Sequence, residues 1–217
     1  MKRIGIGLAL ITSGLLALAY VSLGESDRLT SQSSVSHRHT GPVTTVSFSL
    51  DGQWLASGSL DHTIQIVKVA TGKLLHSLRH GAEVYVVEFS PDGRHLASAG
   101  QDGRVLLWST SSGELVHLFE RSPDWSVAIA FSKDSSLLAV GSQSGSVFPY
   151  DVRSGKLMSS FNPSIALRRI SSVSFSGDGK YLAAAKNDIV IWNAHSKKRG
   201  EDIPGSRVRR GQSHVLS

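Results

Sequence analysis

One pattern recurs four times along this 217-residue chain, and it confines the fold to architectures built by stacking copies of a single unit. Residues 46–59 read VSFSLDGQWLASGS, 87–100 VEFSPDGRHLASAG, 129–141 IAFSKDSSLLAVG and 173–184 VSFSGDGKYLAA. Their anchors, Phe48, Phe89, Phe131 and Phe175, lie 41, 42 and 44 residues apart. Each anchor is followed by a turn centred on Asp51, Asp92, Asp134 or Asp178, then an apolar run and a second polar turn. A short strand follows, ending near Val67, Trp108, Tyr150 or Trp192. A third turn containing glycine (Gly72, Gly113, Gly155) closes three of the four units, so the pattern predicts four short strands per unit. Val84, Val86, Val87 and Phe89 read as an innermost strand, and Leu115, Val116, Leu118 and Phe119 as an outer one. A four-stranded sheet of this size cannot cover both of its faces, so neighbouring units are expected to stack radially.

The repeat resembles the WD-repeat (WD40) family of β-propellers over residues 39–196, in blades 39–78, 79–119, 120–161 and 162–196. The second unit matches most fully, with His80-Gly81, the strand and turn from Phe89 to Gly93, Leu96 to Gly100, Asp102 and Trp108. The resemblance implies an all-β propeller of four-stranded blades. It also implies a buried hydrogen-bonded chain through His80, Ser98, Asp102 and Trp108. The first unit keeps His39, Ser57 and Asp61 but has Val67 for the tryptophan. The third has Ser144 and Tyr150 at the Asp and Trp positions, and the fourth keeps Trp192 but has Lys186 for Asp. Propellers have about 4–8 blades, and the family usually forms a seven-blade ring, so four units are few. Three solutions stay open: a small four-blade ring, two chains forming one eight-blade ring as a homodimer, or a truncated, non-functional fragment.

Outside the repeats the chain changes character. After Lys2 and Arg3, residues 4–23 are uncharged and mostly apolar, on the border between a signal peptide and an N-terminal membrane anchor. Ala17-Leu18-Ala19 offers a small-x-small cleavage site; uncleaved, the segment would contact the membrane. Both readings of residues 1–24 place the propeller outside the cytoplasmic membrane, periplasmic or extracellular, after a linker at 25–38. Residues 197–217 read as a basic, disordered tail.

The formal charge of +6 divides into +2 over residues 1–24, 0 over 25–196 and +4 over 197–217. A neutral body gives no basic groove, and no nucleic-acid partner is expected. The absence of cysteine excludes disulfides, thiol nucleophiles and Cys-ligated metals. Ser, His and Asp converge in the second unit, but they occupy repeat-locked positions and no G-x-S-x-G segment exists. No catalytic, cofactor or metal site is therefore assigned; the His37, His39 pair has no further ligand at metal spacing. Pro149 falls in a third strand and is expected to produce a bulge or an early end to that blade's outer edge.

Binding residues are better sought where the repeats disagree. Six residues before each anchor lie Pro42, Glu83, Trp125 and Arg169, and the second turns hold Leu60, Gln101, Gln143 and Ala185. The family's geometry would gather these on one rim, with Trp125, Arg168 and Arg169 as the contact patch for a protein or peptide. The alternative packs Trp125 between blades and leaves the arginines solvated. The expected function is a non-enzymatic interaction scaffold, exported or membrane-tethered, with no cofactor. The alternative is a propeller enzyme or small-ligand binder, which would need acids or histidines on the innermost strands, read here as mainly Val, Ser, Ile and Phe.

Overall fold

In the computed structural model, residues 38–119, 124–158, 170–185 and 189–194 are described. They form fourteen antiparallel strands in four sheets, one per repeat. The first blade is β1 (Val43–Phe48), β2 (Trp54–Ser59), β3 (Thr63–Lys68) and β4 (Lys73–Arg79); the second is β5 (Val84–Phe89), β6 (His95–Gly100), β7 (Val105–Ser109) and β8 (Leu115–Leu118). The third comprises β9 (Ser126–Phe131), β10 (Leu137–Ser142) and β11 (Val147–Asp151), and the fourth β12 (Ser172–Phe175), β13 (Tyr181–Ala185) and β14 (Ile189–Asn193). The four-strand expectation is thus met in the first two blades; elsewhere the outer-strand positions fall largely outside the described residues.

The turn after each anchor is locked identically four times. Ser49, Ser90, Ser132 and Ser176 donate their hydroxyls to Asp51, Asp92, Asp134 and Asp178 at 2.5–2.6 Å. The same carboxylates accept the amides of Gln53, Arg94, Ser136 and Lys180 at 3.0–3.1 Å. Three of these turns place glycine in the left-handed region; the third blade uses Ser135, at φ 61°. Its hydroxyl accepts the Asp92 amide of the preceding blade at 3.1 Å, a bond no glycine could make.

Pro149 leaves the β10–β11 ladder intact, pairing opposite Ala139. Its carbonyl accepts the Met158 amide, so its missing N–H lies on the outer side of β11, where a strand's N–H and C=O point the same way. Among the described residues the pairing on that side is one bridge, Tyr150 to Leu157.

The core lies between blades. Ala56, Ile64, Ile66 and Leu78 of the first pack on Val84, Val87, Phe89, Leu96, Leu106 and Trp108 of the second. The same positions repeat between the second and third blades and between the third and fourth. Two polar connections run alongside, and neither is evident from the repeat pattern. At the inner ring, Ser90 donates to the His95 carbonyl, so the Phe89 amide turns away from β6; Ser47 of the preceding blade accepts it at 3.2 Å. Thr45 likewise accepts the Val87 amide at 3.3 Å, and Glu88 the Phe131 amide at 3.3 Å. At the outer ring, His76 Nε2 contacts the Ser111 carbonyl at 3.2 Å, and His117 Nε2 the Arg153 carbonyl at 3.1 Å.

The outer clasp needs glycine beneath the imidazole. Gly113 has φ 73°, and a Cβ there would come within 2.8 Å of His76 Nδ1. Gly113→Ala is expected to cost about 1–2 kcal/mol in thermal or urea unfolding through backbone strain and collision. The cost should be smaller in a His76→Ala background, where only the strain is left.

Candidate partner-binding rim

In the second blade the family-like hydrogen-bonded chain is formed from Trp108 through Ser98 to His80. Trp108 Nε1 donates to Ser98 Oγ at 2.9 Å, which fixes the Ser98 proton on His80 Nδ1, also at 2.9 Å. His80 Nε2 then faces Asp102 Oδ1 at 3.6 Å, an ion-pair rather than a hydrogen-bond distance. Burial pushes the His80 imidazole below its ordinary value, partly opposed by the Asp102 carboxylate. In the first blade, His39 Nε2 meets Ser57 Oγ at 2.9 Å, and Nδ1 meets Asp61 Oδ2 and Thr63 Oγ1, each at 3.0 Å. Burial alone would raise the Asp61 carboxyl. Donors from Thr63, Thr40 and His39 outweigh it and hold it well below the usual carboxylate range. In the third blade Val140 stands where Ser98 stands in the second, and Val140 and buried Tyr150 join the apolar core. In the fourth, Ala184 takes the Ser position and Trp192 packs in the core, while Lys186 lies outside the described residues. His80 is 3% and Ser98 0% exposed, and in both blades the chain ties the second strand to the segment that enters the blade.

The rim residues are paired by backbone bonds that repeat with the blades. Leu60 donates to the Pro42 carbonyl at 3.0 Å, Gln101 to Glu83 at 3.0 Å and Gln143 to Trp125 at 2.9 Å. Glu83, Gln101, Trp125 and Gln143 therefore occupy equivalent places on one edge. In the fourth blade Ala185 accepts the Ser171 amide; Arg168 and Arg169 lie outside the described residues.

Tyr85 belongs to the same surface and escaped the pattern reading. Val84 pairs with Gly100 and Val86 with Ala99, so Tyr85 is the extra residue of a β-bulge. Thr44 and Val127 are its counterparts in β1 and β9. A bulge re-aims the side chain it carries. The Tyr85 ring lies against Trp125, with centroids 5.8 Å apart at 57°, and its hydroxyl donates to Glu83 Oε2 at 3.0 Å. Trp125 remains 41% exposed. It therefore neither packs away between blades nor stands alone: its ring is braced on one side and open to solvent on the other.

Glu88 was also missed, because the apolar run around it hides a single carboxyl on the innermost strand. Burial pushes that carboxyl up to about 7, partly opposed by the Phe131 amide that it accepts. Among the described residues, no group of three or more His, Cys, Asp or Glu side chains could hold a metal ion, and no helix is long and apolar enough to cross a membrane. Residues 4–23 and the 197–217 tail lie outside the described residues.

Radially stacked antiparallel blades with a loop-built rim define a β-propeller architecture, which among the described residues is an open arc. The WD domain, G-beta repeat family model matches residues 31–68, 72–109, 113–148 and 156–193, and the chain belongs to the WD-repeat family. A comparison with individually curated proteins gives no match.

Two predictions follow from the buried polar groups. Ser98→Ala strands the Trp108 N–H and a His80 nitrogen, and is expected to lower unfolding stability by about 1–3 kcal/mol. Below about pH 7 folded Glu88 holds a proton that the unfolded carboxyl releases near its ordinary value of 4.5, so its contribution to stability falls as pH rises between the two. Glu88→Gln is therefore expected to match the native chain near pH 4.5 and to exceed it by about 1–3 kcal/mol above pH 7.5, at roughly 1.4 kcal/mol per pKa unit. Melting curves across this range, compared between the two proteins, check the sign.

Proposed function

We propose that this chain is a non-enzymatic scaffold that binds a protein or peptide through the Glu83–Tyr85–Trp125 rim. WD-repeat proteins generally serve as interaction scaffolds, and the braced aromatic pair is the observation that carries the assignment to this surface. Tryptophan and tyrosine are enriched among residues that dominate interface energy, and a ring already held in place loses little freedom on binding. Gln101 and Gln143 flank the pair with polar side chains suited to an interface rim. Lys2, Arg3 and the apolar stretch 4–23 support placing the scaffold outside the cytoplasmic membrane, either released by cleavage or tethered. The channel-ligand reading would rest on Glu88, whose carboxyl is already committed to the Phe131 amide.

A photo-crosslinking residue placed at Gln143 in the producing cell is expected to trap a discrete partner, while the same residue at Lys73, on an outer strand, traps none. Trp125→Ala should weaken that adduct at least tenfold with little change in melting temperature. Equal trapping from both positions, or an adduct indifferent to Trp125, would contradict the assignment. N-terminal sequencing of the exported fraction tests the address: a cytosolic chain retaining Met1 would refute it.

A further inference from the structure

The blade-to-blade contact is built from two different faces. The leading face carries the anchor phenylalanine and the residue two before it; the trailing face carries small and branched residues from the second and third strands. Phe89 and Phe131 on leading faces are 5% and 6% exposed, whereas Phe48, in the same position of the first blade, is 59% exposed. Val46 beside it is 44% exposed. On trailing faces Ile64, Val105 and Val147 are all 0% exposed, whereas Ile189, their counterpart in the fourth blade, is 65% exposed. Among the described residues, the arc therefore ends in one bare leading face and one bare trailing face.

These two ends complement each other in their polar groups as well. Ser49 donates to the Trp54 carbonyl, so the Phe48 amide turns away from β2, as Phe89's does from β6. Among the described residues no preceding blade faces it. The acceptors that cap Val87 and Phe89 are Thr45 and Ser47, three residues and one residue before their own anchor. In the fourth blade those positions are Ser172 and Ser174, whereas the second has Val86 and Glu88 and the third Ala128 and Ala130. The fourth blade alone repeats the hydroxyl pair of the first. It also keeps the apolar trailing set, Ala183, Ile189 and Ile191, in place of Ala56, Ile64 and Ile66.

We infer that the occupant of each bare face is a second copy of this chain. The fourth blade of one copy seats on the first blade of the other at both junctions, closing an eight-blade ring. Ser172 and Ser174 then cap the partner's Val46 and Phe48 amides, and Ile189 packs against the partner's Phe48. The interface is a continuation of the one already formed between the first and second blades. The contact is head-to-tail, and closure after two copies consumes every exposed face, which an open chain of copies would not.

Native mass spectrometry of the full chain released from detergent micelles tests this. The expected species has twice the 23.2 kDa mass of the chain. Phe48→Asp and Ile189→Asp, each on a solvent-exposed face, are both expected to give monomers. An equimolar mixture of the two regains dimer, because one junction in the mixed pair carries neither substitution. That rescue separates loss of contact from loss of fold. A monomeric native chain would overturn the inference, as would a ladder of higher oligomers. Persistence of the Ile189→Asp dimer when Phe48→Asp is monomeric would also overturn it, since like faces would then be pairing.

Discussion

Everything in this fold depends on one sheet face finding another. A four-stranded antiparallel sheet of short strands leaves two apolar faces, and a single blade has no helix or second layer to cover either. Stacking blade on blade covers them and creates the core, which is why the buried residues sort by junction rather than by sheet. Burial of apolar area is not directional, however, and would tolerate blades sliding against one another. Register is fixed by polar groups at the two rings: Thr45, Ser47 and Glu88 on inward-turned amides, and His76 and His117 on outer carbonyls.

Much of this was legible in the sequence, because each repeat states the same solution. The anchors, the Asp-centred turns and the strand runs needed only period-two alternation and turn chemistry, and strands and turns lie accordingly. The His80 and His39 networks were reachable through the family likeness. What was hidden depends on three-dimensional juxtaposition. The bulge that delivers Tyr85 to Trp125 leaves no mark in the repeat, since it recurs at the same place in β1, β5 and β9 and keeps the spacing to the anchor unchanged. Glu88 was overlooked because its neighbours are apolar and its partner, a backbone amide, lies 43 residues away in the next blade. The histidine clasps look like solvated residues until the glycine turn of the next blade is brought beneath them.

The unequal polar content of the junctions suits the functional reading. The hydrogen-bonded serine of the second strand is present in the first two blades, while the third and fourth have Val140 and Ala184 in its place, both in the apolar core. The aromatic pair of half-buried Tyr85 and exposed Trp125 bridges the second and third blades, above a junction held by both the Glu88 cap and the His117 clasp. A contact surface on such a junction is carried by two sheets that cannot shift independently, which keeps Tyr85 and Trp125 in their mutual geometry without a partner.

The central claim is that neighbouring blades hold each other's innermost strands through side-chain caps on inward-turned amides. Site-resolved hydrogen exchange in Ser47→Ala tests it directly. The Phe89 amide should exchange markedly faster than in the native chain, while the Ser90 amide, bonded within its own blade to His95, keeps its protection. In the native chain the Phe175 amide, opposite Ala130, should already exchange faster than Phe89. Unchanged exchange at Phe89, or equal loss of protection at Phe89 and Ser90, would contradict the account.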